Sequence, residues 1–298
     1  LVVGLSVLAV FAADQAGGAD KVVALAVSQG MFKFWPEPSF KEIAFFVAGG
    51  ITIMFGSIPQ QDVFQRVMSA NSIKAATHGP VIGGICYILF AFVPMFLVVS
   101  AMIIMPEKAA TLMAEDPQKV LPTLVMEQMP FVMQVLFFGA LLSAIKSCAS
   151  ATLLAPSVTF TENIWRPLRP HQSDRQNLLT MRVTVLVFSA LVLTYAIAMQ
   201  GTSIYELVSG AYQVTLVGAF VPLLAGLFWA RATTQGAVFS IVLGLLAWGL
   251  FLATPAGEEF PAQLAGVLAA GLGMLAGSLG PQTIANRHGS HHRLVGSR

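Results

Sequence analysis

The chain runs again and again for about 20 residues with little or no charge, the length a helix needs to cross the hydrocarbon core of a bilayer. Candidate spans lie at 1–13, 43–61, 79–105, 131–157, 180–199, 207–229, 235–254 and 261–279. The first is short, and the chain opens inside it at Leu1 without a basic leader, so it reads as the end of a helix with something missing before it. The run VVALAVSQGMF (22–32) is too short to span. FWPEPSF follows it, so it is expected to lie at the membrane surface with Phe34 and Trp35 at headgroup depth. About eight spans in an all-α membrane protein is the fold class this pattern implies.

Composition agrees. Of the 298 residues, 56% are hydrophobic and 10% charged, whereas soluble domains carry about 25% charge. Mean hydropathy is +0.77. A soluble enzyme, a nucleic-acid binder and a disordered chain are all excluded on this ground, and a net charge of +2 points to no polyanionic partner. The two cysteines, Cys86 and Cys148, sit in apolar runs and make no disulfide framework.

Charge also gives an orientation. With the C-terminus in the cytoplasm, segments 62–78, 165–182, 230–236 and 281–298 face inward, and they hold Lys74 and all nine arginines. Lys21, Lys33, Lys41, Lys108 and Lys119 fall on the other side, with eleven of the fourteen acids. This is the positive-inside pattern, and it fits a multi-pass protein of the inner (plasma) membrane. Residues 1–280 read as one transmembrane domain and 281–298 as a frayed cytoplasmic tail. The hydrophilic loop 106–130 has room for a short external helix.

Two segments depart from plain lipid-facing helices. In IAFFVAGGITIMFGSIPQQDVFQR, Gly49, Gly50, Gly56 and Pro59 crowd together. Pro59 removes a backbone donor and disfavours helix at Ile58. A break inside a membrane is tolerated only where protein or a wet cavity satisfies the freed backbone, and transporters build solute sites at such breaks. Gly56, Ser57, Gln60 and Gln61 are therefore candidate solute-binding residues, with Tyr212 and Gln213 from the outer half of the sixth segment. The alternative is a proline-kinked helix packed on its glycines. In the fourth segment, Ala144, Ser147 and Cys148 share one helical face through their i, i+3, i+4 spacing. Its oxygens are a candidate sodium site, and close packing of small residues is the competing explanation. Lys146 borders that face, at a depth where a lysine is expensive.

These stretches together resemble the sodium:solute symporter family. GSIPQQDVFQRVMSANSIKAA (56–76) looks like its broken-helix motif and LLSAIKSCASATLLAPSVTFTENIW (141–165) like its sodium-site helix. MRVTVLVF (181–188) and FVPLLAGLFWARATTQGAVFSIVLG (220–244) match in order and spacing, and the choline-transporter-like branch fits best. The resemblance implies a partial LeuT-type fold: the fifth core helix, the second five-helix inverted repeat and two accessory helices. It implies that the Ala144 carbonyl, the Ser147 hydroxyl and residue 148 ligate sodium. The family usually has Ser or Thr where this chain has Cys148, an apolar residue at Lys146, often Asp at Ser150, and in choline transporters an aromatic near Gln60.

The function expected is sodium-coupled symport of a small polar or zwitterionic solute by alternating access. One alternative drops sodium and lets the Lys146 ammonium stand in for it, since burial favours a neutral lysine. Another is a membrane sensor module that does not transport. No paired intramembrane aspartates, HExxH or Ser/His dyad is present, so no enzyme activity is expected, nor any cofactor beyond the coupling ion. The tail histidines His288, His291 and His292 read as solvated.

Overall fold

The computed structural model describes residues 2–169 and 173–284. The chain is helical throughout, with no strand among the described residues. It divides into two compact units, Leu1–Phe34 with Gln65–Ser203 and Trp35–Phe64 with Ile204–Arg298.

The first unit begins with α1 (Val2–Gln15) and α2 (Ala19–Ser28), bent by 86° from one another. Gly17 and Gly18 make that corner at φ +83° and +115°, a region that side chains with a Cβ rarely adopt. After a helix break at residues 57–60, α5 (Ile73–Ile104) starts at Ser72, whose hydroxyl accepts from Ala75 N–H at 3.2 Å and so supplies an N-cap. The hydrophilic loop then folds into α6 (Pro106–Glu115) and α7 (Val120–Gln128), with the ion pair Lys108–Glu127 between them. This loop is packed. Val120, Leu124 and Val125 are fully buried with Leu8 of α1 and Leu97 of α5. The unit closes with α8 (Phe131–Leu168) and α9 (Asp174–Ala198), the latter opened by a reciprocal capping box of Ser173 and Gln176.

The second unit holds α3 (Phe40–Gly56) and the start of α4 (Gln61–Met68), then α10 (Ile204–Phe228), α11 (Thr234–Ala253) and α12 (Ala262–Leu279). The last two lie together along their small residues. Gly236, Ser240 and Gly244 of α11 and Gly266, Ala270, Gly273 and Gly277 of α12 are all buried. A Cβ on Gly273 would stand 2.6 Å from the Phe239 carbonyl oxygen, so the two backbones are in near contact, as in membrane helix pairs built on small residues.

Among the described residues six helices, α5 and α8 to α12, are long and apolar enough to cross a membrane, and they expose many large apolar side chains. So large an apolar surface is what lipid or protein must cover, and the chain is a multi-pass membrane protein. Two of the eight segments expected from sequence are shorter. α1 has 14 residues and α3 has 17, and 17 residues rise only about 25 Å against a hydrocarbon core of about 30 Å. Gly49 and Gly50 lie inside α3, so the interruption is narrower than the glycine run implied. The tail also departs from expectation, because Pro281–Ile284 is held. The Gln235 side chain donates to the Pro281 carbonyl at 2.9 Å and accepts from Thr283 N–H at 2.7 Å. The tail histidines lie outside the described residues.

Candidate functional site

The helix break is present. α3 ends at Gly56, a turn covers Ser57–Pro59, and α4 starts at Gln61. Pro59 cannot donate, so the helical ladder fails here. The turn closes instead through Ile58 N–H to the Phe55 carbonyl at 3.2 Å and Gln60 N–H to the Ser57 carbonyl at 3.3 Å. Within a membrane the freed carbonyls need other donors. One comes from α10, where the Thr215 hydroxyl donates to the Gly56 carbonyl at 2.6 Å, with the Tyr212 carbonyl 3.0 Å away as its alternative acceptor. The Gln60 amide in turn donates to Thr215 Oγ1 at 3.5 Å, a long contact. A short polar relay, Gln60 to Thr215 to Gly56, therefore closes the break.

Gly56 makes that relay geometrically possible. It is buried, and a Cβ there would fall 2.4 Å from the Tyr212 carbonyl oxygen. Only glycine lets the end of α3 reach the α10 backbone. Phe55 stacks on Phe220 beside it, with ring centroids 4.9 Å apart and planes 5° from parallel.

α10 is irregular at the same place. A π turn occupies Leu216–Phe220, two residues before Pro222. A proline ring collides with the carbonyl four residues back, here Gly218, and removes its donor. The wider turn gives that carbonyl room. α8 repeats the device, with a π turn at Thr161–Trp165 and Pro167 two residues beyond. Next to the break lies a cavity of about 500 Å³, walled by Pro59, Gln61 and Phe64 on one side and by Gly218, Ala219, Pro222, Leu223 and Ile241 on the other.

The six expected solute residues thus have different settings. Gln61 lines the cavity. Gln60 belongs to the polar relay, and the Ser57 hydroxyl donates back to the Met54 carbonyl at 3.2 Å. Gly56 is covered by the Tyr212 backbone. Gln213 accepts from the Trp248 indole N–H at 2.9 Å. Sequence reasoning missed Thr215 and the Ala219–Pro222 wall. Helical register offered part of the signal, since Tyr212 and Thr215 share a face by i, i+3 spacing ahead of the π turn.

On α8 the helix runs unbroken through Ala144, Ser147 and Cys148. Ala144 is half-buried and the other two are exposed. The carbonyls of Ser147 and Cys148 accept from the Ser150 and Thr152 hydroxyls at 3.1 and 2.8 Å. Lys146 is also exposed, with no ion-pair partner among the described residues. Two hard oxygens therefore share this face with one soft sulfur, fewer donors than a hard cation's oxygen shell takes.

The family model of the sodium:solute symporters matches residues 1–244. Among curated relatives, the chain is 27% identical over 216 residues to sodium/myo-inositol cotransporter 2 of Bos taurus, a match covering 65% of this chain and 32% of that protein. It is 29% identical over 226 residues to high affinity choline transporter 1 of Homo sapiens, covering 70% and 36%. For sodium/glucose cotransporter 4 of Danio rerio the figures are 27% over 206 residues, 62% and 30%. The matched stretch is thus about one third of the length of each of these relatives, and polyol, sugar and choline transporters match it about equally well. With a family match over more than half its length, the chain belongs to the sodium:solute symporter family.

Proposed function

We propose that this chain supplies the second half of a sodium-coupled transporter core, a LeuT-type second repeat with the fifth core helix before it and two accessory helices after it. In this reading the protein carries a small polar or zwitterionic solute by alternating access, and its C-terminus faces the cytoplasm. The observation that carries the reading is the interrupted helix at Gly56–Gln61. The end of α3 presents carbonyl oxygens and the start of α4 presents N–H groups, so the two half-helix dipoles offer opposite partial charges across a few residues. A zwitterion or polar neutral molecule can use both. Gln60 and Thr215 fix the break as a hydrogen-bonded turn, and Gln61 supplies a side-chain amide to the space beside it. In this reading Ser57 within the turn, Tyr212 behind Gly56 and Gln213 one residue along α10 complete the solute site. On α8, the Ala144 carbonyl and Ser147 hydroxyl provide two hard oxygens for sodium, Cys148 a weak third contact, and Lys146 a nearby positive charge that tunes ion affinity. The named relatives mark choline, myo-inositol and glucose as the first solutes to try.

The test is uptake by the natural full-length protein in proteoliposomes, with a sodium gradient or with sodium replaced by a large organic cation. Gradient-dependent accumulation of at least one solute supports the reading. Uptake indifferent to the replacement contradicts sodium coupling, and absence of uptake across a broad panel contradicts transport.

A further inference from the structure

The loop end of α8 and the start of α9 carry a group of arginines that the transport reading does not use. Phe160 and Phe188 meet edge-on at 6.5 Å, which sets the two helices side by side. Six residues further toward the connecting loop on each helix, about 9 Å by helical rise, stand Arg166 and Arg182. Arg175 lies seven residues before Arg182, about 10 Å further out. Arg175, Leu178, Leu179 and Arg182 fall on one face of α9 by i, i+3, i+4, i+7 spacing. Arg169 lies 5.5 Å from the Trp165 ring centroid, a cation–π contact that holds its guanidinium near an amphipathic ring. All four arginines are exposed.

Their pairing is incomplete. Arg166 is held by Glu162 at 2.6 Å. Asp174, in the first turn of α9, is the other carboxylate at this end. Arg169, Arg175 and Arg182 have no salt-bridge partner among the described residues. The same surface exposes Leu168, Leu179 and Leu186 at 72%, 61% and 69%. A soluble anion would answer the guanidiniums and leave the leucines wet. Plain hydrocarbon would cover the leucines and strand the charges. A phospholipid does both, with arginine stems along its chains and guanidiniums at its phosphate. Four arginines against two carboxylates favour a lipid that itself carries net negative charge.

We propose that Arg169, Arg175 and Arg182, with Trp165 beside them, form a binding surface for the headgroup of an anionic phospholipid. This does not depend on the transport reading. The test uses the full-length protein in nanodiscs of equal phosphatidylcholine and phosphatidylglycerol, with lipids retained on the protein quantified by native mass spectrometry. Phosphatidylglycerol is expected to be enriched over bulk in the wild type. Enrichment is expected to fall by about fivefold for each arginine removed, and so most in the combined R169Q, R175Q and R182Q variant. It is expected to persist when all three become lysine and to stay unchanged in R231Q. Should the glutamine variant not fold, raising salt on the wild type reads the same dependence, since exposed charges are screened, and enrichment should disappear. Equal retention of the two lipids, equal loss in R231Q, or enrichment that survives the charge removal or high salt would overturn the proposal. So would displacement by millimolar inorganic phosphate, which would mark a small-anion site instead.

Discussion

The small residues of α11 and α12 and those of α8 at 139–152 look alike as sequence and differ in the fold. In the first case Gly236, Gly244, Gly273 and Gly277 are buried against a neighbouring backbone. In the second, none of residues 139–152 is buried, and a Cβ on Gly139 would meet nothing within 4 Å. Small residues let backbones approach each other, and the first pair uses that permission among the described residues while α8 does not. Polar groups follow the same division. Thr215, Gln213 and Gln235 find partners inside their unit. The Ser150 and Thr152 hydroxyls next to the α8 face turn back onto their own helix, and Ser147 and Cys148 are exposed.

Substitutions should separate the two faces. The largest effect is expected for Gly273→Leu, whose side chain would have to displace the Phe239 carbonyl 2.6 Å from the first added atom. Overpacking of this kind costs about 3 kcal/mol or more when backbone must move, and it should show as a lowered unfolding temperature of the full-length protein. Gly139→Leu on α8 should stay within about 0.5 kcal/mol. Equal losses would erase the contrast.

Thr215→Val comes next. It keeps the shape and removes the donor that α10 gives to the Gly56 carbonyl, and an unsatisfied buried acceptor costs about 1–3 kcal/mol. Thr215→Ser should recover most of the stability and the uptake, and equal damage from both would mean the relay is unimportant.

The break itself was legible from sequence because Pro59 deletes a donor, a hard covalent fact. The extent of the break was not legible from the glycines, since Gly49 and Gly50 cost a helix only about 1 kcal/mol each and a membrane penalises open backbone far more. Thr215 was half legible: its spacing puts it on the Tyr212 face, but which turn of α10 crosses Gly56 is a long-range contact with no local signature. The burial of Val120, Leu124 and Val125 in a stretch that reads as a surface loop was hidden for the same reason.

On α8 the expected effect is functional. Ser147→Ala should raise the sodium concentration for half-maximal uptake about tenfold, the worth of about 1.4 kcal/mol, with no change in unfolding temperature. Cys148→Ser, which replaces soft sulfur by hard oxygen, should lower it. A stability loss without a sodium effect would return this face to the packing class of α11 and α12. The smallest effect is expected within that seam. Ser240 is fully buried and its hydroxyl has no partner among the described residues, so Ser240→Ala should be neutral or stabilising by up to about 1 kcal/mol, read from the same unfolding curves.

If the turn at Gly56–Gln61 opens on a wet space that solute and sodium control, Gln61, which lines the cavity, reports it. The direct measurement is labelling of Gln61→Cys in the membrane-embedded full-length protein by a membrane-impermeant thiol reagent, with Cys86 and Cys148 first replaced by serine. Labelling is expected at a rate that changes severalfold with sodium and is suppressed by transported solute. A cysteine that never labels, or one that labels at a rate indifferent to both, would contradict it.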